Sequence, residues 1–292
     1  MRGHRSEAWL CIKMDLKSQH KCHGGMLSYY SHVSKTALCN MNFSIFIPPQ
    51  AAEKKCPVLY YLAGLTCTED NFTTKSGAYK LAAELGLILV APDTSPRGIE
   101  VPDEDGWDFG KGAGFYVDAT VKPWDKNYKM YSYITHELND LVARHFPIDT
   151  DRQGIFGHSM GGHGALTIYL KNRDKYKSVS AFAPIVSPTE CPWGHKALGK
   201  YIGDNRADWG QYDACLLMKD LSDASLNPEI LVDQGLNDPF LIEQLKPDLF
   251  EAACKSAGQK LTLRRHEGYD HGYFFITSFM EDHLRHHAAI LK

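Results

Sequence analysis

Arg152-Gln153-Gly154-Ile155-Phe156-Gly157-His158-Ser159-Met160-Gly161-Gly162-His163-Gly164-Ala165-Leu166-Thr167-Ile168-Tyr169-Leu170 is an apolar strand pattern that runs without a spacer into a small-residue helix pattern. A Gly-x-Ser-x-Gly pentapeptide sits at the junction. The short apolar run at 152–156 marks a buried strand, and residues 164–170 continue as a helix whose first turn is nearly bare of side chains. A strand joined so abruptly to a helix leaves one residue to make the turn, and here that residue is Ser159. Its hydroxyl, held out on the bend, is a candidate nucleophile once a base lies beside it, and the flanking glycines let the neighbouring backbone come close. An ordinary helix-capping serine needs none of those glycines.

Outward from this junction, strand and helix patterns alternate, as a mostly parallel sheet requires, because every parallel crossover needs a covering element. Strands are expected at 27–32, 40–47, 57–62, 87–91, 153–156, 178–183, 229–232 and 260–264, the first two as an antiparallel pair. Helices are expected at 79–85, 131–145, 161–171, 246–255 and 273–289. The pattern predicts a three-layer α/β sandwich with a sheet of about eight strands. Two long stretches, 94–129 and 187–226, rich in Gly, Pro, Trp and Tyr, read as irregular walls or lids. Residues 21–292 are expected to form one domain, preceded by a loosely ordered extension at 1–20.

Composition narrows the function classes. A formal charge of −3, with lysines and arginines scattered along the chain, provides no basic face for nucleic acid. Apolar runs stay short of a secretory or membrane-spanning segment, so secretion and membrane insertion are not expected. Eight cysteines without a C-x-x-C pair read as reduced thiols in a reducing compartment.

In this architecture the catalytic order along the chain is serine, acid, histidine, so the partners of Ser159 lie after it. His271, in Glu267-Gly268-Tyr269-Asp270-His271-Gly272, occupies the turn between the last strand and the last helix and is the favoured base, ahead of His266. Asp238, in the loop after the penultimate strand, is the favoured acid, ahead of Asp233 at the strand's end, which would then act as a strand-end cap. His158, next to the nucleophile, is expected to point away from the site. His283, His286 and His287 share a helical face that could ligate metal, although a solvated amphipathic helix explains them. Developing negative charge needs donors, and the backbone N–H groups of Met160 and Leu65 are the expected oxyanion hole.

Longer strings carry a specific resemblance. Leu65-Thr66-Cys67-Thr68, Asp93-Thr94-Ser95-Pro96-Arg97-Gly98, Trp107-Asp108-Phe109-Gly110, residues 112–119, the Ser159 turn, residues 180–185, Cys191-Pro192-Trp193-Gly194 and Tyr269-Asp270-His271 together closely resemble the S-formylglutathione hydrolase (esterase D) family. The resemblance runs from about Cys22 to the C-terminus and implies an α/β-hydrolase fold with Asp238 and His271 as acid and base. It also implies hydrolysis of S-formylglutathione to glutathione and formate and, commonly, a homodimer; the reducing compartment is read as the cytoplasm, and a serine mechanism requires no metal or organic cofactor. The family carries a cysteine where Cys67 stands, near enough to the pocket for its modification to block activity. Trp193 and the loop from Trp107 through Phe115 to Tyr116 are expected to wall a cramped acyl pocket. Ala63 departs from the serine often found there. A broader carboxylesterase or an acyltransferase of the same fold is the alternative activity, and a non-catalytic binding module is the alternative from another class.

Overall fold

The computed structural model describes residues 13–221 and 224–292. Its strands are β1 (Met14–Cys22), β2 (Gly25–Val33), β3 (Asn40–Ile47), β4 (Cys56–Leu62), β5 (Ile88–Pro92), β6 (Ile148–His158), β7 (Tyr176–Phe182), β8 (Ile230–Gly235) and β9 (Leu261–His266). They form one sheet in the order β1-β2-β3-β5-β4-β6-β7-β8-β9. The first three strands pair antiparallel, β3 pairs antiparallel with β5, and every pair from β5 to β9 is parallel. Central strands are buried on both faces, so β5 and β8 are enclosed along their whole length.

β1 corrects one expectation. The chain was expected to be loosely ordered through residue 20, yet from Met14 onward it pairs with β2, from Met14 opposite His32 to Cys22 opposite Gly25. The polar sequence Met-Asp-Leu-Lys-Ser-Gln-His-Lys-Cys buries little. What holds it is the backbone ladder, closed by a turn in which His23 and Gly24 both adopt positive φ, and hydrophobic patterning is blind to that. Residues 1–12 of the expected extension lie outside the described residues.

The helices are α1 (Glu69–Lys75), α2 (Tyr79–Leu85), α3 (Met130–Ser132), α4 (Asn139–His145), α5 (Met160–Lys171), α6 (Pro192–Tyr201), α7 (Ala214–Lys219), α8 (Pro247–Ala257) and α9 (Tyr273–Ile290). A π-helical stretch, Tyr133–Leu138, joins α3 to α4 inside the helix expected at 131–145. The segment 187–226 is not wholly irregular, because it contains α6 and α7. Pro192 starts α6 at a position where the missing N–H costs nothing. α1 was also unexpected, and it begins with a capping box between Thr68 and Asn71. Among the described residues no helix is long and apolar enough to cross a membrane.

Two packing features hold the site. Phe72 of α1 stacks on Tyr61 of β4 at 3.9 Å between ring centroids, and both meet Phe156 of β6 edge-on. The cluster clamps α1 over the two strands that lead into the site, with aromatic contacts worth about 0.5–1.5 kcal/mol each beyond their buried area. In the first turn of α5, Gly161 lies against the end of β4. A Cβ there would overlap the Leu62 carbonyl and come within 2.6 Å of the Ala63 oxygen, and neither backbone group can swing aside.

Gly161→Ala is therefore expected to destabilise the fold by about 3 kcal/mol or more. Gly199→Ala, inside α6 and no nearer than 3.8 Å to a neighbouring atom, is expected to stabilise it by about 0.4–1 kcal/mol. Urea denaturation of the two variants, read against the unsubstituted chain, checks the opposite signs.

Candidate active site

Ser159 is the single residue between β6 and α5. Its φ of 58° and ψ of −118° lie in a region that residues with side chains seldom adopt. Three backbone hydrogen bonds hold it: its N–H donates to Phe182, and its carbonyl accepts from His163 and Ile185. Gly64, on the loop after β4, faces this turn so closely that an added Cβ would lie 3.2 Å from Ser159 Cβ and from His158 Nδ1. The side chain is nearly buried and lines a cavity of about 260 Å³.

The loop at 63–68 lies beside the serine and is fixed by groups from elsewhere. Tyr116, fully buried, donates its hydroxyl to the Ala63 carbonyl at 2.9 Å. Thr66, itself at φ 69°, donates its N–H to Gly112. Arg97 and the Thr94 hydroxyl both donate to the Cys67 carbonyl, while Asp93 anchors the Arg97 guanidinium at 2.8 Å. The N–H groups of Leu65 and Met160 donate to no backbone or side-chain acceptor among the described residues. Leu65 lines the serine's cavity and Met160 directly follows Ser159 in the chain, so two N–H groups without an acceptor lie in the serine's surroundings.

The acid and the histidine come from the loops after β8 and β9. Asp238 Oδ2 lies 2.5 Å from His271 Nδ1 and also accepts from Gln234, while Oδ1 accepts the Phe240 N–H. With a carboxylate on Nδ1, the proton resides there and Nε2 is the basic nitrogen. The ring lines the same cavity as Ser159, so sequence reading picked a serine, an acid and a histidine that the fold brings together.

Trp107, Trp193 and Cys67 line this cavity together with Asn71, Lys75, Phe240 and Tyr273. Trp193 packs edge-on against Trp107 and tilts over Phe240, which in turn meets the His271 ring edge-on. Phe115 is a correction: it is wholly buried away from the cavity, and its contribution is a carbonyl that holds the His163 ring at 2.9 Å. Phe115 and Tyr116 both adopt positive φ, with Tyr116 directed to the loop at 63–68 and Phe115 buried inward. His158 is a second correction. It was expected to point away, but its ring lies 4.4 Å from that of His271 and lines the cavity, because the strand's alternation does not survive the bend at Ser159. Burial, then proximity to His271, holds its pKa well below the ordinary histidine value. Burial raises the Cys67 thiol, so it is not a ready thiolate. A larger cavity, about 740 Å³ and lined by residues such as Cys215, Ile242 and Arg265, shares no residue with the serine's cavity.

Strand order, the bend at Ser159, and an acid and a histidine delivered after the last two strands define a serine hydrolase of the α/β-hydrolase class. Residues 34–286 match the Esterase family model, described as "Putative esterase". S-formylglutathione hydrolase of Rattus norvegicus is 53% identical over 96% of this chain and 100% of its own length. The Arabidopsis thaliana protein of the same name is 54% identical over 93% of this chain and 96% of its own. The solved structure of an S-formylglutathione hydrolase from Agrobacterium tumefaciens superposes with a TM-score of 0.93 at 52% identity, covering 95% of this chain and 100% of the other. The chain belongs to the S-formylglutathione hydrolase family.

The remaining histidine candidates are neither solvated nor arranged around a metal. His283 and His287 are fully buried on α9. His283 reaches Ser180 at 2.8 Å and Asp233 at 3.1 Å, and His287 reaches Ser178 at 2.6 Å and Ser180 at 2.9 Å. His286 meets the Val179 carbonyl. Among the described residues no group of three or more His, Cys, Asp or Glu side chains is placed to hold a metal ion. Asp233 is no simple strand-end cap, because it also receives Arg264 through two nitrogens and His266 at 3.1 Å. Burial alone would raise its pKa, but the bonds from His283 and Arg264 prevail and hold it well below the usual carboxylate value.

Burial depresses the pKa of His283 and His287, and that of His163 to about 4. Unfolded histidines take up protons near pH 6.5 that these folded ones refuse, so stability should fall as pH drops below about 6.5. The depressed Asp233 has the same sign, its contribution being lost at still lower pH as it protonates. Unfolding free energy measured against pH is expected to be flat between about pH 7 and 8 and to decline below about 6.5, with His287→Gln reducing the acid-side slope by up to about 1.4 kcal/mol per pH unit.

Proposed function

We propose that this chain hydrolyses S-formylglutathione to glutathione and formate, with Ser159 as nucleophile, His271 as general base and acid, Asp238 as its orienting carboxylate, and the Leu65 and Met160 amides as the oxyanion hole. The observation that carries this is the 2.5 Å contact between His271 and Asp238 on a ring that shares one cavity with the strained Ser159. Names of relatives at 53% and 54% identity supply the substrate. Ser159 Oγ attacks the formyl carbon while His271 Nε2 takes its proton, and the oxyanion draws on the two unclaimed N–H groups. Collapse breaks the carbon–sulfur bond and releases glutathione thiolate, which takes its proton from the imidazolium and so returns His271 to its basic form. Water, deprotonated by His271, then attacks the formyl ester and regenerates Ser159 with loss of formate. Trp193 and Phe240 crowd the cavity and favour a small acyl group.

Seven cysteines among the described residues are all free thiols, which supports a reducing compartment such as the cytoplasm. A homodimer is the assembly the family resemblance implies. Sedimentation equilibrium is expected to return twice the 32.8 kDa mass of the chain.

Ser159→Ala is expected to abolish turnover and labelling by a fluorophosphonate probe, and Asp238→Asn to lower kcat by roughly 10³- to 10⁴-fold by allowing the wrong imidazole tautomer. Steady-state kinetics on S-formylglutathione and on a simple aryl ester check the substrate: a higher kcat/KM for the aryl ester would replace this reading with a broad carboxylesterase.

A further inference from the structure

The residues lining the serine's cavity include no carboxylate and, histidines apart, one ionisable cation, Lys75, at the last position of α1. Its ammonium stands 5.7 Å from the centre of the Tyr273 ring, is exposed, and makes no ion pair among the described residues. Two neighbouring charges are engaged elsewhere. On α1 itself, Asp70 accepts the Tyr29 hydroxyl at 2.6 Å. Lys196, whose partner Asp108 directly follows the cavity-lining Trp107, is bound to Asp108 at 2.6 Å and to Glu104 at 3.5 Å. The position is also stiff, because Phe72, one turn earlier, is locked against Tyr61 and Phe156. A lysine closing a helix is ordinarily explained by the helix dipole. That account needs only a cation in the last turn, not one that shares the nucleophile's cavity and lacks a carboxylate partner.

The geometry points to Lys75 as the subsite for a carboxylate of the glutathionyl leaving group, and so as a determinant of selectivity for anionic thioesters over neutral esters. The inference rests on the reading given under Proposed function. Glutathione carries two carboxylates and one ammonium, so the peptide part attached to the reacting sulfur is a net anion. An unpaired ammonium at the mouth attracts it, and the apolar Trp107, Trp193 and Phe240 add no charge contact of their own.

The test is kinetics on S-formylglutathione and on a neutral aryl acetate, with Lys75→Gln, Lys75→Glu and Lys75→Arg. The glutamine variant is expected to raise KM for S-formylglutathione about tenfold with kcat little changed, and the glutamate variant to raise it further. Arginine is expected to retain most of the binding. Added sodium chloride should raise KM for the thioester with the unsubstituted chain and much less with the glutamine variant. Values of kcat/KM for the neutral ester should stay within about twofold throughout, and circular dichroism should show each variant folded. An equal loss on both substrates, or an unchanged KM for S-formylglutathione in the glutamine and glutamate variants, overturns the subsite. If the unsubstituted chain turns over the aryl acetate but not S-formylglutathione, the substrate reading fails instead. Calorimetric titration of S-methylglutathione into the same variants then tests Lys75 separately, with undiminished affinity in the glutamine variant counting against it.

Discussion

The backbone of Ser159 is the constraint around which the molecule is arranged. A side-chain-bearing residue at φ 58° and ψ −118° costs on the order of 1–3 kcal/mol and persists only where its surroundings leave no alternative. Those surroundings are specific. Phe182, His163 and Ile185 fix both backbone polar groups, and Gly161 and Gly64 let α5 and the loop after β4 close on the bend. The buried parallel strands β4, β6 and β7 resist the relaxation that would flatten it. Strain is held where the hydroxyl must stand clear of the sheet, and a rigid core sustains it.

Two aspartates only five positions apart divide the work at the other end of the site. Asp233 faces the α9 side of the sheet and gathers Arg264, His266 and His283, tying β8, β9 and α9 into one register. Asp238, beyond the strand's end, turns to His271 and is oriented by Gln234 and the Phe240 amide. Because the first network fixes where β8 and β9 end, it also fixes where their two loops begin. The imidazole reaches the serine's cavity from more than a hundred residues away along the chain through that relay of strand ends.

Legibility in sequence followed the kind of signal each feature leaves. Ser159, Asp238 and His271 stand in short strings whose position relative to apolar strands is itself the evidence, and the structure gathers them. Central strands were legible because burial on both faces writes continuous apolar runs. β1 was not, since its ladder is made of backbone atoms and its side chains are mostly polar and exposed. His283 and His287 looked solvated because a polar letter at helical spacing does not say whether serines on a strand will meet it. Phe115 and His158 sit at or beside backbone with positive φ, at 115, 116 and 159, and neither a loop's composition nor adjacency to the serine says which way such a side chain turns. The supports of the loop at 63–68, Tyr116, Gly112, Arg97 and Thr94, are contacts between distant segments that no local pattern contains.

That loop has a consequence for how such an enzyme diversifies. Its supports grip main-chain groups: the Ala63 carbonyl, the Thr66 N–H and the Cys67 carbonyl. The cavity-lining side chains of Leu65 and Cys67 are thereby released from holding the loop in place. Mutational drift at these positions can reshape the cavity while the main chain of the loop stays where it is, so new specificities lie within a few steps of the old one.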